Sequence, residues 1–347
     1  MKKTGILLIN LGTPDDPSVG SVRRYLRQFL LDRRVIDVNP ILRNFLVRFI
    51  IAPFRAPASS KIYKELWTEN GSPLKYYGMR VKEMLQERLG DNCIVELGMR
   101  YQNPSIASAA DRLQKANVDK IVIFPLFPQY ASASSGSALE EAMRHISEWF
   151  TVPDISSVSS YHDHPKIIQV FADNAREMGM DNYDHFLFSF HGIPQRQLIK
   201  SDTNDHCLKN SECCQTLCES NKMCYSAQCY DTAFKIASEL GLKRDQFSVG
   251  FQSRLGKDPW TEPFTPDVLE RLNKEGVKRL LVFSPSFVAD CLETTIEIGD
   301  EYHEEFLEMG GERLDLVPGL NDNPIWVAAL EEMLKPHILT SEFSYQV

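Results

Sequence analysis

The sequence predicts an α/β fold with two similar half-domains, and three observations support this prediction. Short apolar runs that suit buried strands recur along the chain, and the segments between them are long enough for helices. Strands that alternate with helices predict parallel sheets with helices on both faces. Three of the runs precede Ser160 and four follow it. This division favours two half-domains, split near residues 155–165, over one seven-stranded sheet.

The elements can be assigned in chain order. The predicted strands are residues 5–10, 94–98, 120–127, 185–190, 247–251, 279–283 and 314–317. The predicted helices include residues 81–89, 105–116, 138–149, 166–178, 232–240 and 266–274. Several of the turns that follow the strands carry Arg, Tyr, His or Gln. Because parallel strands end at the same edge of a sheet, we expect these side chains to converge on one crevice.

The composition is typical of a globular protein. The chain has 347 residues, 43% hydrophobic and 24% charged, and it is long enough to bury a core without disulfides. A net charge of −9 argues against a nucleic-acid partner. Residues 1–66 carry twelve Lys and Arg against five Asp and Glu, so this section is +7 and the remainder is −16. A basic section on an acidic protein suits an anionic ligand or an anionic membrane surface.

The first ten residues, MKKTGILLIN, combine two lysines with an apolar run. No small-residue cleavage site follows, so we interpret them as a first strand and not as a signal peptide. No segment approaches 18 consecutive apolar residues, the length that would span a membrane. We therefore expect a cytoplasmic protein, in which disulfides are rare.

Residues 36–54 are the most apolar segment outside the predicted strands. Two interpretations remain open: a helix that packs on the core, or an exposed apolar lip with basic flanks that touches a bilayer or a large flat hydrophobic ligand. The apolar side chains with helical spacing are Ile41, Leu42, Phe45, Leu46, Phe49 and Ile50.

The segment HFLFSFHGIP, residues 185–194, places a histidine where a buried strand ends. The run 186–190 is long enough for one strand, and Pro194 prevents regular continuation beyond His191 and Gly192. Ligands of open α/β sheets bind at this edge. A lone histidine at a strand end is more often a hydrogen-bonded structural residue, so the assignment depends on the rest of the chain.

Residues 287–308 predict a helix with four acids on one face. The acids are Glu293, Glu297, Asp300 and Glu304, spaced by four, three and four residues. A solvated surface explains most such stripes, but Glu293 lies just beyond a strand end, near the expected place of His191. An imidazole and a carboxylate in one crevice suit a divalent first-row metal such as ferrous iron. Repulsion along the stripe would keep some acids protonated and form a proton path.

Six of the eight cysteines fall within residues 207–229. In a cytoplasmic protein this density favours metal thiolates over disulfides. Four thiolates hold either tetrahedral zinc or a [2Fe–2S] cluster, and the spacing is not that of a zinc ribbon, so spacing alone leaves the metal open. The segment follows His191 and suits a lobe inserted beside the crevice. The six are Cys207, Cys213, Cys214, Cys218, Cys224 and Cys229.

Motifs along most of the chain resemble the ferrochelatase family. The strongest are SFHGIP (189–194), GFQSRLGKDPWTEP (250–263) and FSPSFVADCLETTIEI (283–298). Further matches are INLGTP (9–14), FLLDRRVID (29–37), NGSPL (70–74), GMRYQNPSI (98–106) and PLFPQYASASSGS (125–137). The matches run in order from residue 4 to residue 330. The cysteine segment resembles the insertion of bacterial members that carry a [2Fe–2S] cluster.

The resemblance implies a fold and an activity. Members of this family insert ferrous iron into protoporphyrin IX to make protohaem, and they fold as two Rossmann-like domains around a porphyrin cleft. Residues 1–160 would form the first half-domain, with 36–54 as a lip at the porphyrin. Residues 161–330 would form the second, with the cysteine insertion at 205–230, and residues 331–347 would be a C-terminal tail.

The resemblance also assigns site residues. The family's active-site histidine falls on His191 and its glutamate on Glu293, and both are expected to meet the Fe²⁺ substrate; Glu297 matches the next acid. Cys291 stands where some eukaryotic members have histidine. The cluster ligands we favour are Cys207, Cys214, Cys224 and Cys229, with Cys213 as the substitute for Cys214 and with Cys218 dispensable. The porphyrin-binding positions are Leu11, Arg100, Tyr101, Ser253, Trp260 and Phe287.

Metal insertion must remove two pyrrole protons, and bending the macrocycle exposes its nitrogen lone pairs at a cost of roughly 1–5 kcal/mol, met by binding the rest of the ligand. An apolar ring with two propionates calls for apolar walls and Arg at the rim. We predict that neutral His191 accepts pyrrole protons or ligates iron, that Glu293 opposes or assists it, and that Glu297 and the acids behind it conduct protons or metal. The cluster is predicted to be structural or a redox sensor, since metallation transfers no net electrons.

Three alternative functions share some of these features. A nucleotide-binding oxidoreductase would need a G-x-G-x-x-G or a P-loop, and neither follows a predicted strand. A non-catalytic tetrapyrrole carrier would not need the paired His191 and Glu293. A coproporphyrin ferrochelatase differs only in substrate, and the resemblance favours protoporphyrin. The oligomeric state stays open, and peripheral contact with the inner face of the cytoplasmic membrane would suit a hydrophobic substrate.

Overall fold

The computed structural model describes residues 2–210, 212–254, 256 and 258–338, which form two compact units. Unit 1 contains the described residues of Met1–Phe127, Ser132–Ser159 and Pro324–Val347, and unit 2 contains those of Pro128–Ala131 and Ser160–Asn323. Each unit has a four-stranded parallel sheet with helices. The predicted α/β fold class is therefore confirmed.

Unit 1 is organised around its first strand. The sheet order is β2-β1-β3-β4, and β1 is buried along nearly its whole length because parallel neighbours and helices cover it. The strands are β1 (Thr4–Gly12), β2 (Cys93–Tyr101), β3 (Lys120–Pro125) and β4 (Asp154–Ser157). The α-helices are α1 (Val19–Leu31), α2 (Pro40–Phe45), α3 (Ala52–Leu66), α4 (Pro73–Leu89), α5 (Ile106–Lys115), α6 (Ser137–Ile146) and, late in the chain, α12 (Pro324–Leu334). π-helical segments cover Leu46–Ile51 and Ser132–Gly136, and a 3₁₀ turn covers Lys335–His337.

Unit 2 repeats this topology with the order β6-β5-β7-β8. Its strands are β5 (His185–His191), β6 (Phe247–Gln252), β7 (Arg279–Phe283) and β8 (Arg313–Leu316). Its α-helices are α7 (Pro165–Glu177), α8 (Gln195–Ser201), α9 (Tyr225–Glu239), α10 (Thr265–Lys274) and α11 (His303–Glu308). A π-helix spans Leu292–Tyr302, and 3₁₀ turns cover Met180–Asn182 and Arg244–Gln246. Since β5 lies between β6 and β7, its C-terminal end has strand ends on both sides.

Two features depart from the sequence expectations. Strand β4 was not predicted, because its sequence DISS is short, polar and exposed at the sheet edge. Helix α12 groups with unit 1, where Glu331 forms an ion pair with Arg88 at 2.7 Å, although residues up to 330 were assigned to the second half-domain. Of the predicted tail 331–347, residues 339–347 lie outside the described residues.

The apolar segment 36–54 is an exposed surface and not a core helix. It comprises α2, the π-helical segment Leu46–Ile51 and the start of α3. Ile41 is 82% exposed, Phe49 67% and Phe54 78%, while Val47 is buried and anchors the segment. Of the two open interpretations, the structure therefore favours the exposed lip. Among the described residues, no helix combines the length and apolarity needed to cross a membrane.

Candidate active site

His191 is the last residue of β5 and is half-buried at the sheet edge. Its Nδ1 lies 2.7 Å from the carbonyl oxygen of Gly192. A carbonyl can only accept, so Nδ1 carries the proton in this bond, and the neutral tautomer that the bond selects has its lone pair on Nε2. The local sequence thus fixes one tautomer and leaves a nitrogen lone pair for a proton or a metal.

Hydrogen bonds from outside the strand hold the His191 backbone. The buried Tyr225 hydroxyl donates to the His191 carbonyl at 2.7 Å and lies 3.1 Å from Ser286 Oγ. Ser286 Oγ in turn accepts from the His191 amide at 3.3 Å. Tyr225 and Ser286 were not predicted, and only the position of Ser286 just after β7 could have suggested it.

Aromatic side chains flank the histidine. The Phe287 ring centroid is 6.3 Å from the imidazole centroid at an interplanar angle of 70°. Trp260 lies against Gly192, since a Cβ atom at Gly192 would be 3.3 Å from Trp260 Cε3 and only 2.8 Å from the Gln252 carbonyl oxygen. Glycine is therefore required after the histidine by close approach. Both aromatic residues are half-buried and suit contact with a flat apolar ligand.

The two predicted glutamates lie on the π-helix Leu292–Tyr302. The Glu297 carboxylate accepts hydrogen bonds from Ser253 Oγ at 2.6 and 2.9 Å, from Gln252 Nε2 at 3.2 Å and from the Tyr302 hydroxyl at 3.2 Å. Ser253 reaches this position with a left-handed backbone, at φ 65°. Glu297 is thus firmly oriented, and the hydroxyl of Ser253, a predicted porphyrin contact, is bound to it.

Gln252 connects the histidine strand to the acidic helix. It is the register partner of His191 on β6 and is 1% exposed. Its Nε2 donates to the Glu293 carbonyl oxygen at 2.8 Å as well as to Glu297, and its Oε1 accepts from Ser189 at 2.9 Å. Gln252 begins one of the turns expected to converge on the crevice, but nothing in the sequence assigned it a specific role.

Because Leu292–Tyr302 is a π-helix, the acids on one of its faces differ from the predicted set. Burial, followed by the negative charge of Glu297, raises the pKa of Glu301, and Glu305, Asp300 and Glu304 add to the shift. The wider π turn moves residues three apart away from each other. The acids that neighbour one another on the helix surface are therefore spaced by four residues and include Glu301, which the predicted stripe did not contain.

The thiol of Cys291 caps this π-helix. It is buried, and burial, followed by the charge of Glu293, raises its pKa, so the thiol stays protonated beside that carboxylate. A neutral thiol cannot supply the basic nitrogen of a histidine, so no histidine-like role follows for this residue.

In unit 1 the predicted porphyrin positions form part of a polar network. Tyr101 is 1% exposed, and burial, followed by the charge of Asp32, raises its pKa. Asp32 accepts from Tyr101 at 2.9 Å, from Arg100 at 2.7 Å and from the Ser137 hydroxyl. Leu11 is half-buried near the end of β1. Arg100 therefore has an internal partner, and its guanidinium is not an independent cation.

Comparison with known proteins identifies the family. The ferrochelatase family model matches residues 3–338. The chain belongs to the ferrochelatase family. A curated ferrochelatase from Legionella pneumophila subsp. pneumophila is 42% identical over 332 residues, covering 96% of this chain and 98% of that protein. One from Coxiella burnetii is 43% identical over 334 residues, covering 96% and 93%.

Solved structures agree in fold. SirB from Bacillus subtilis with Fe³⁺ has a TM-score of 0.55 at 11% sequence identity, covering 99% of this chain and 98% of that chain. At this identity the likeness concerns the fold alone, which is that of the chelatases. This chain is accordingly a lyase that inserts ferrous iron into protoporphyrin IX to give protohaem. Its family membership does not favour the alternatives of a tetrapyrrole carrier, an oxidoreductase or a coproporphyrin ferrochelatase.

The cysteine segment of this ferrochelatase offers a set of thiols around a small cavity. Cys207, Cys213, Cys214 and Cys224 line a space of about 80 Å³. Cys214 Sγ is 3.5 Å from Cys213 Sγ and 4.0 Å from Cys224 Sγ. Cys229, one of the predicted ligands, is fully buried within α9 and does not line this cavity, whereas Cys218 is exposed.

The thiols of this segment are electrostatically coupled. The hydrogen bond with Cys214 lowers the pKa of Cys224, and amides of the first turn of α9, which Cys224 caps, add to the effect. Burial, followed by the charges of Cys214 and Cys213, raises the pKa of Cys207 to about 11. Thiols that repel one another as anions are the donor set that a cationic iron or zinc centre would stabilise.

Proposed function

We propose that His191 takes up the pyrrole protons or binds the incoming Fe²⁺, with Glu293 as its acidic partner. The bond from Nδ1 to the Gly192 carbonyl carries this proposal, because it selects the tautomer in which Nε2 offers the lone pair to a proton or a metal. Gln252 supports the pairing, since it is the register partner of His191 and binds the Glu293 main chain.

The acids beyond Glu293 would carry protons or metal outward. Glu297 is held by Ser253, Gln252 and Tyr302, so it offers a fixed carboxylate. The raised pKa of Glu301 favours uptake of a proton at the next position, and this carboxyl is exposed to solvent. An oriented acceptor followed by an exposed carboxyl with a raised pKa is a suitable order for proton release.

The porphyrin is proposed to contact Phe287 and Trp260 in unit 2, where both rings lie beside the imidazole or its neighbour Gly192. Ser253 would affect porphyrin binding indirectly, through its hydrogen bonds to the Glu297 carboxylate. For unit 1 we propose Leu11, Arg100 and Tyr101, as the resemblance implies; the burial of Tyr101 favours an indirect role, through the position of Arg100.

A [2Fe–2S] cluster is proposed in the cysteine segment, as a structural element or redox sensor. Cys207, Cys214 and Cys224 of the predicted set line the cavity, which supports them as ligands. For the fourth ligand, Cys213 lines the same cavity, and Cys229 would have to approach from α9. Cys213→Ala and Cys229→Ala distinguish the two: the variant that loses visible absorption and about two irons per chain identifies the ligand. Colourless, zinc-containing wild-type protein would refute the cluster.

The exposed surface of residues 36–54 is proposed to touch a lipid surface, which would place the protein peripherally on the cytoplasmic membrane. The ring centroids of Phe45 and Phe49 are 5.7 Å apart with the planes tilted by 41°, the residues are 55% and 67% exposed, and Arg43, Arg48 and Arg55 flank them. Apolar side chains with basic flanks favour anionic lipid. Flotation with phosphatidylglycerol vesicles should recover the wild type, and Phe49→Glu should reduce recovery. Equal recovery of both proteins would exclude this surface.

The decisive test of the site is His191→Ala. We expect loss of iron insertion under anaerobic conditions, while quenching of protein fluorescence shows that protoporphyrin still binds. His145→Ala is the matched control, because His145 is paired with Glu141 on α6 and takes no part in the site. Near-normal turnover by His191→Ala would end the assignment, and failure of both variants to fold would appear in their circular dichroism.

A further inference from the structure

A second group of metal-ligating side chains lies in unit 2 away from His191. His162 and Asp163 follow directly after the chain enters this unit, and Asp231 lies on α9. One ligand atom of each residue lies within 4.8 Å of the other two. We propose that this group binds a divalent first-row transition metal, independently of the iron substrate and of the cysteine segment.

The histidine is prepared for such a ligand. His162 is 8% exposed, and its Nε2 lies 3.1 Å from Asp231 Oδ2 without the geometry of a hydrogen bond. Its Nδ1 lies 3.0 Å from Ser160 Oγ, which can accept a hydrogen bond from Nδ1 while its hydroxyl donates to the Pro128 carbonyl oxygen at 3.1 Å. A metal-bound histidine normally has this kind of partner on its other nitrogen.

A lysine now neutralises the two carboxylates. Lys235, one turn after Asp231 on α9, forms an ion pair with Asp231, and its Nζ is 3.7 Å from Asp163 Oδ2. Its side chain is 41% exposed, so it can swing into solvent when a dication enters. One imidazole and two carboxylates suit Mn²⁺, Fe²⁺ or Zn²⁺, with water completing the coordination.

The site would join two segments of unit 2, beside a third that packs on the same helix. The crossing segment 160–163 and the short segment 128–131 both rest on α9, the latter through Gln129 to Thr232 at 3.0 Å and Tyr130 to Gln228 at 2.8 Å. A metal held by residues of 160–163 and α9 would add a link between them. We therefore expect a structural clamp and not a second catalytic centre.

Mn²⁺ is the most selective probe, because soft thiolates disfavour it. The experiment uses the full chain carrying His191→Ala, so that the substrate-metal site is disabled. Loss of the free Mn²⁺ signal in electron paramagnetic resonance should show one bound ion per chain. Adding Asp163→Asn, a change at a half-exposed side chain, or His162→Ala should abolish this binding, whereas His145→Ala should not.

Removing the Lys235 ammonium, which competes with the metal for the two carboxylates, should have the opposite effect on Mn²⁺ affinity. Lys235→Met should tighten Mn²⁺ binding by about tenfold or more, since one positive charge next to two carboxylates is lost. An anomalous difference peak at His162 in Mn²⁺-soaked crystals would locate the ion. Mn²⁺ that stays free at millimolar concentration, or binding that Asp163→Asn and His162→Ala leave unchanged, would overturn the proposal.

Discussion

Gln252→Leu should damage both stability and turnover, because one buried amide connects the histidine strand to the acidic helix. The substitution removes the bonds to the Glu293 carbonyl oxygen at 2.8 Å, to Glu297 at 3.2 Å and from Ser189 at 2.9 Å. Ser189 keeps its bond to Thr265 at 2.9 Å, so its loss is small. Of the three bonds, the one to the Glu293 carbonyl is the shortest, so its loss should weigh most.

The magnitude follows from these contacts. Each lost buried hydrogen bond costs about 1 kcal/mol, so the three together should lower the free energy of unfolding by about 2–4 kcal/mol. Turnover should fall about 10- to 100-fold, the usual effect of removing a group that orients a metal-site residue. Gln252→Glu keeps the side-chain volume but replaces a hydrogen-bond donor with a negative charge beside Glu297. Its losses of unfolding free energy and of turnover should therefore be at least as large as those of Gln252→Leu.

Urea unfolding and the rate of protoporphyrin fluorescence loss with Fe²⁺ measure the two effects. Gln246→Leu, on the exposed turn before β6, is the matched control and should change neither quantity by much. If Gln252→Leu unfolds at the wild-type urea midpoint and turns over normally, the hydrogen bonds between strand and helix contribute to neither stability nor turnover.

Other predictions concern single contacts. Gly192→Ala should lower the unfolding free energy by about 1–3 kcal/mol in thermal melts, because its Cβ would lie 2.8 Å from a backbone oxygen, whereas Gly20→Ala, with open space around it, should not. Tyr225→Phe should cost about 1 kcal/mol and reduce kcat, since the bond to the His191 carbonyl is lost; an unchanged kcat would show that this backbone needs no support. Burial, followed by charge from an arginine, lowers the pKa of His185 to about 4, below its ordinary 6.5, so the unfolded chain binds the proton first. Stability should therefore fall as pH drops from about 6.5 to about 4, and His185→Gln should flatten that slope in urea midpoints measured at pH 7 and 5.

The central strands were predictable because burial on both faces makes them continuous apolar runs. Strands β1 and β5 were placed within one or two residues, and the end of β5 located His191. Strand β4 escaped prediction because an exposed edge strand needs no apolar pattern. Propensity and periodicity thus identify the interior of each sheet better than its edge.

The site was predictable to the level of residue types but not of contacts. The stripe through Asp300 assumed 3.6 residues per turn, and the π-helix changes which acids are neighbours. No spacing rule could show that Cys213 and Cys214 line one cavity while Cys229 turns into α9. Likewise, the partners of Gln252 lie 41 to 63 residues away along the chain, which a linear pattern does not reveal.

Tyr225 gives the cysteine segment a mechanical link to the reaction. It is the first residue of α9, directly after the capping Cys224, and its hydroxyl reaches the last peptide of the histidine strand. A shift of a few tenths of an ångström in that helical turn would lengthen this bond and alter the tilt of the imidazole. Oxidation of these thiols, or loss of the proposed cluster, would in this way slow haem formation without any electron reaching the porphyrin.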